Sequence, residues 1–445
     1  MAEMIQNNNF ITRELDWAAE VILWRVGHYF KKDGEREIQC AALPPDPSGT
    51  DSYSSFIKEK GFGEDDRLCL MLTLIPLLRP QILDCFNIRN SDTGIRFAEF
   101  GCREIGDGRI LLPTLETLLF VLAETDINRR LECARHFIDH PFFSIHCYSR
   151  EGRYDSFSAV VLTPSQELVD RLLYDRPFRP RFSPDFPAAR METNRVWDEL
   201  VLDDSTMTQV NEIRLWVQYG ARVRKEWGME KILRPGYRAL FYGPPGSGKT
   251  MTASLLGQVT GREVYRINLA SVVSKYIGET EKNLEKVFDM AEDKDWILFF
   301  DEADSLFGKR TGIKDSHDRY ANQEVSYLLQ RIEEYRGLVV LSTNQKINID
   351  DAFSRRFQSV IRFPMPDAAQ RKAIWTSSFS DKTEFEDSIS WDDIARDYEL
   401  TGGSIMNVVQ YASVMAMSRD ESIIRKEDIL HGIRREYQKE GKMPR

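Results

Sequence analysis

"LFYGPPGSGKTMTASLL", residues Leu240 to Leu256, holds Gly243, four intervening residues, then Gly248, Lys249 and Thr250. A short apolar run precedes the glycines and a helical pattern follows them. Strand, glycine-rich turn and helix in that order are the context a phosphate-binding loop requires. The glycines let the backbone of Gly243, Pro244, Pro245, Gly246, Ser247 and Gly248 curl so that its N–H groups point inward. The helix opening at Lys249, Thr250 and Met251 adds its partial positive charge. Lys249 is expected to bridge the β- and γ-phosphates of ATP, and Thr250 to ligate Mg²⁺. A chance glycine-rich turn is the alternative.

Further along, "WILFFDEADSLF" (Trp296 to Phe307) is an apolar run ending in Asp301-Glu302. A carboxylate at the end of a buried strand can hold Mg²⁺, usually through water, so Asp301 is the second expected metal residue. Glu302 is then placed to polarise the attacking water as general base. "LVVLSTNQ" (Leu338 to Gln345) ends in Asn344, an amide suited to orienting that water; a turn-capping role is the alternative. "DDAFSRRFQSVIRF" (Asp350 to Phe363) carries Arg355 and Arg356. Adjacent arginines are ordinarily a solvated face. Here they read as fingers for a neighbouring subunit's γ-phosphate.

Apolar runs at Ala239–Tyr242, Val264–Ile267, Trp296–Phe300 and Leu338–Leu341 alternate with helical patterns, which implies a doubly wound parallel α/β sheet. From Asp367 onward the pattern is helical only, as for a small lid. Upstream, Arg176 to Asn194 carries four prolines and reads as an extended linker without helix or sheet. Before it, Leu15–Phe30, Arg67–Phe86 and Leu115–Ile138 have helical spacing, and two apolar stretches within Phe142–Leu162 flank "SREGRYDS" as in a hairpin. Helices followed by a hairpin suggest a winged-helix-like module. The expected division is a partner-binding region at 1–176, a linker at 177–194, a nucleotide-binding domain at 195–364 and a lid at 365–445.

Hydrophobic residues make up 42 % of the 445 and charged residues 29 %, a globular profile. The longest apolar run, Leu68–Leu78, is too short to span a bilayer, and the start, MAEMIQNNNF, lacks a signal-peptide pattern. Six irregularly spaced cysteines, with no CxxC, read as free thiols of a reducing cytoplasm, with a disulfide framework or zinc site as the alternative. A formal net charge of −10 argues against nucleic-acid or anionic-membrane partners and suits a neutral or cationic polypeptide. Acidic residues also outnumber basic ones over residues 1–180, against a DNA-binding wing.

Together these residues resemble the AAA branch of the AAA+ ATPases, from about Val196 to Tyr437. "LTGGSIMNVVQYA" (Leu400 to Ala412) adds Gly402-Gly403, which look like the lid motif that packs on the nucleotide; the arginine found there in other branches is missing. The resemblance implies a homo-hexameric ring with ATP at the subunit interfaces. It also implies a role for Lys275, Tyr276, Ile277 and Gly278 within "VSKYIGETEKNLEK" (Val273 to Lys286): a pore loop gripping extended polypeptide. Packing under the next helix is the alternative for Tyr276 and Ile277.

Four further stretches, Leu74–Phe86, Gly108–Ala123, His140–Tyr148 and Lys314–Glu333, look like those of ATPases encoded with bacterial contractile injection systems. That likeness implies a bacterial cytoplasmic remodeller of injection-system components. Asp301 to Asp304 spell DEAD, but an RNA helicase needs a second motor domain with an arginine-rich motif. No HExxH occurs, and His136 with His140 lacks the glutamate of a metalloprotease helix. An ATP-binding assembly scaffold with little remodelling activity is the remaining alternative.

Overall fold

A computed structural model describes residues 2–31, 42–49, 51–105, 110–149, 156–157, 160–272, 279–292, 294–305, 316–344 and 355–441. The chain divides into two compact units, Met1–Phe178 and Arg179–Arg445.

The first unit is α-rich. Helices α1 (Ala2–Tyr29), α2 (Ser52–Lys60) and α3 (Glu64–Leu78) lead through a 3₁₀ turn at Pro80–Asn87 into a two-stranded ribbon of β1 (Arg103–Ile105) and β2 (Ile110–Leu112). Then come α4 (Leu115–Ala123), α5 (Ile127–Asp139), α6 (Pro141–His146) and α7 (Gln166–Leu173). The pattern read as one helix over Leu115–Ile138 is two. Glu124 turns the chain with φ +48, and the Asp126 side chain caps α5 by accepting from Asn128 and Arg129.

The expected hairpin within Phe142–Leu162 holds where Tyr148 meets Leu162 but not over its first apolar stretch. Its first apolar stretch is α6, started by Pro141 at the first helical position and by the His140 side chain, which accepts from Phe142 N. Among the described residues, single bridges of Tyr148 with Leu162 and Thr114 with Val161 give it antiparallel character. His136 instead pairs with Asp66 at 2.7 Å, so each histidine has a structural task.

Among the described residues no single helix is long and apolar enough to cross a membrane. α3, which carries the longest apolar run, has every residue from Arg67 to Ile75 buried. The five described cysteines are free thiols. Burial pushes Cys85 and Cys147 up to about 12.

The second unit is built on a six-stranded sheet in the order β3-β5-β6-β7-β4-β8. Its strands are β3 (Ala189–Met191), β4 (Tyr237–Tyr242), β5 (Val264–Asn268), β6 (Ile297–Asp301), β7 (Leu338–Thr343) and β8 (Ser359–Arg362). All pairings are parallel except β3 on β5, so the sheet is mixed. The four central strands are near-continuous apolar runs because helices cover both faces. Those helices are α8 (Asp204–Glu226), α9 (Lys249–Thr260), α10 (Leu269–Val272), α11 (Glu279–Ala291) and α12 (Ser316–Glu334).

β3 corrects the reading of 177–194 as linker without sheet. The prolines end at Pro187, so Ala189–Met191 keep their N–H groups and can pair at an edge. Phe186, 1 % exposed, packs on Tyr265 and Trp296 and pins the strand. Arg179 and Arg190 both bind Glu263 at the start of β5.

The lid comprises α13 (Ala368–Ser377), α14 (Trp391–Asp397), α15 (Gly402–Met417) and α16 (Lys426–Lys439) around buried Trp375. It is not purely helical. β9 (Glu384–Phe385) and β10 (Ile423–Ile424) pair in parallel.

Candidate functional site

The loop from β4 to α9 folds as a cradle because three glycines supply backbone angles that other residues avoid. Gly243 has φ 152, Gly246 φ 74 and Gly248 φ 99. Inside it the Lys249 ammonium, buried with its side chain, donates to the carbonyls of Gly243 at 2.8 Å and Pro244 at 2.9 Å. Its third bond runs to Asn344 Oδ1 at 3.0 Å. Burial holds the Lys249 pKa below its ordinary value, and the Asp301 and Asp304 carboxylates oppose that shift. Ser247 Oγ is buried without a hydrogen-bond partner. An orphaned hydroxyl and a folded-back ammonium in a ring of backbone fit an anionic phosphate chain.

Three strand ends converge on this cradle, the arrangement expected at the carboxyl edge of an open α/β sheet. β6 delivers Asp301, whose Oδ1 accepts from Glu302 N at 3.0 Å and whose Oδ2 pairs with Arg266 at 2.8 Å. Glu302 adopts φ 56, a left-handed backbone that is sparse for a non-glycine residue and turns the chain sharply after the strand. β7 delivers Asn344, and Thr343 Oγ1 donates to Asp304 Oδ1 at 3.1 Å, tying β7 to the turn after β6. Thr250 lies in the first turn of α9, facing the same cleft as Asp301. Thr250 and Asp301, both oxygen donors, suit a hard divalent cation.

The lid closes the cleft from the other side. Gly403 N donates to Gly246 O at 3.0 Å, and Gly402 and Gly403 leave room for the backbones to meet. The resulting cleft has a volume of about 440 Å³. Its apolar end is formed by Leu200, Val201 and Leu202, with Ile374 and Met406 from the lid. Sequence reading missed these residues. Their only signal is a short apolar stretch before α8, with no motif to mark it.

Arg355 and Arg356 follow the segment after β7 and are both exposed. Arg356 is held by Glu333 at 2.9 Å. Lys275, Tyr276, Ile277 and Gly278 lie outside the described residues.

With this geometry in place, residues 239–365 match the family model described as ATPase family associated with various cellular activities (AAA). This segment is an AAA ATPase domain. It is therefore a nucleotide-binding module.

Curated relatives extend the similarity beyond the AAA domain. The chain is 32 % identical over 238 residues to cell division protein C of Sulfolobus acidocaldarius, covering 49 % of this chain and 62 % of that protein. It is 28 % identical over 218 residues to the 26S proteasome regulatory subunit 6B homolog of Encephalitozoon cuniculi, covering 47 % and 56 %. It is 32 % identical over 203 residues to the 26S proteasome regulatory subunit 6A of Saccharomyces cerevisiae, covering 44 % and 46 %. The chain thus spans less than two thirds of each of these relatives.

Proposed function

We propose that the protein hydrolyses ATP with Mg²⁺ in a homo-hexameric ring and uses the cycle to remodel protein complexes. The observation that carries the reading is the meeting of Lys249, Asp301 and Asn344, from three different segments, in one lid-covered cleft. Lys249 neutralises phosphate charge, its three present acceptors being replaceable by phosphate oxygens. Thr250 and Asp301 would hold Mg²⁺, which supplies charge neutralisation on the phosphate oxygens. Glu302 takes the proton of the attacking water, and Asn344 orients that water. Arg355 and Arg356 act on a neighbouring subunit's site. Of the two, Arg356 has an intramolecular partner in Glu333 to leave behind.

A protein-directed role is supported by relatives named as proteasome regulatory subunits, together with the Tyr276-Ile277 pair in a sequence context suited to a pore. The narrower setting, a bacterial cytoplasmic ATPase acting on contractile injection-system components, rests on the four stretches that resemble such ATPases. Purified protein should turn over ATP in a Mg²⁺-dependent way and form a ring. A pull-down with Glu302→Gln as a substrate trap tests the setting. Absence of turnover in a nucleotide-binding ring would return the scaffold reading.

A further inference from the structure

The pairing of Arg266 with Asp301 belongs to no part of the nucleotide chemistry above. We propose that Arg266 is the resident counter-cation of the metal-site carboxylate, so that Mg²⁺ uptake at Asp301 is an exchange of cations. The inference rests on the Mg²⁺–nucleotide reading of the cleft.

β5 and β6 run parallel with Asn268 opposite Asp301 and Arg266 opposite Phe299. Side chains alternate along a strand, so Arg266 shares a face with Asn268 and can reach forward along the sheet. Its Nη2 meets Asp301 Oδ2 at 2.8 Å, while Oδ1 accepts from the Glu302 backbone. Both oxygens of the carboxylate expected to serve a metal are therefore engaged.

The exposures of the two side chains differ usefully. Asp301 is only 16 % exposed, so without a partner its charge would sit poorly solvated beside Asp304 and Glu302. Arg266 is 44 % exposed, so its guanidinium can swing into water on its long apolar stem at little loss. The arginine thus keeps Asp301 paired and correctly aimed before the divalent ion arrives. A guanidinium beside a doubly charged ion is repelled, so the ion must displace it or weaken its hold. The site is held ready at the expense of some metal affinity. Arg266 is then a positioning residue, acting through Asp301.

Mn²⁺ is the probe, with the full chain and ADP, and free Mn²⁺ read by electron paramagnetic resonance. Arg266→Gln should bind Mn²⁺ about fivefold more tightly, the scale of a partly exposed ion pair. The gain should shrink in high salt, where such pairs are screened. Arg266→Lys should stay close to wild type, and Arg266→Ala run in parallel should repeat the gain. In an Asp301→Asn background, Arg266→Gln should change nothing. Unchanged or weaker Mn²⁺ binding in both neutral variants overturns the exchange, as does a gain that persists without the Asp301 charge. ADP binding without metal separates the two levels. If wild type binds neither ADP nor Mn²⁺, the nucleotide site itself is misread. If it binds both and the neutral variants match it, only the exchange is wrong.

Discussion

The Lys249 ammonium and the Asn344 amide oxygen lie 3.0 Å apart, joining the start of α9 to the end of β7 across the cradle. The residue proposed to neutralise phosphate and the one proposed to orient water thus hold each other in place. This arrangement separates the roles that substitutions should expose.

Lys249→Ala removes the buried cation and should weaken ATP binding about 10- to 100-fold, the scale of a charge-assisted hydrogen bond. Glu302→Gln keeps the shape but cannot accept a proton, and Asp301 is untouched. It should bind Mg²⁺–ATP normally and hydrolyse it negligibly. A fluorescent-nucleotide titration beside a phosphate-release assay checks both. Normal turnover in Glu302→Gln would remove that residue from the role of base.

Gly246→Ala should be far worse than Gly261→Ala. Both glycines have positive φ, 74 and 67. An added methyl at Gly246 would stand 2.7 Å from Thr401 Oγ1 and crowd Gly403, whereas at Gly261 it meets nothing within 4 Å. Gly261→Ala should therefore show only the left-handed backbone penalty of about 1–2 kcal/mol in a melt. Gly246→Ala should also hold the lid off the cradle and lose nucleotide affinity. Equal affinities in the two variants would deny the lid contact a part in binding.

Arg355→Ala and Arg356→Ala should each leave ATP binding intact and lower turnover, on the order of 10³-fold for a finger that reaches phosphate. Mixing either variant with Lys249→Ala subunits should restore part of the activity, because one interface then combines a sound cradle with a sound finger. Normal turnover in both single variants would exclude a trans contact.

Phe186→Ala should release the edge strand. The ring is fully enclosed by Tyr265 and Trp296, so its loss should cost about 3–5 kcal/mol and expose the Pro177–Pro187 stretch to protease. Glu263→Gln should act in the same direction through Arg179 and Arg190. Burial pushes the Glu263 pKa up, but the Arg190 and Arg179 contacts outweigh it and hold the carboxyl below its ordinary value. A depressed acid stabilises the fold above its unfolded pKa and loses that contribution as pH falls through the folded one. The protease sensitivity of wild type should thus rise in acid below about pH 4.5, and that rise should be blunted in Glu263→Gln.

Tyr276→Ala tests the pore reading, which stands on sequence alone. ATP turnover and ring formation should survive while substrate-stimulated turnover collapses, and Tyr276→Phe should be mild because gripping needs the ring rather than the phenol oxygen. A parallel fall in melting temperature and basal turnover would mark Tyr276 as a packing residue instead.

The cradle, Asp301, Glu302 and the parallel strands of the sheet were determined by the sequence itself. Each rests on short-range physics: glycines that permit unusual φ, a β-run long enough to be buried, and a charge placed where that run ends. Local pattern also misled where it was incomplete. The stretch at Phe142–His146 is apolar enough for a strand, yet Pro141 and the His140 cap make it helix, and Ala189–Met191 become strand only because β5 offers an unpaired edge. Relations between distant segments came only from the folded chain: Gly403 on Gly246, Leu200–Leu202 and Ile374 lining one cleft, Arg356 on Glu333 and Arg266 on Asp301. Such contacts depend on how strands order themselves and where a lid comes to rest. Those outcomes are set by burial summed over the whole unit, and no single stretch of residues carries them.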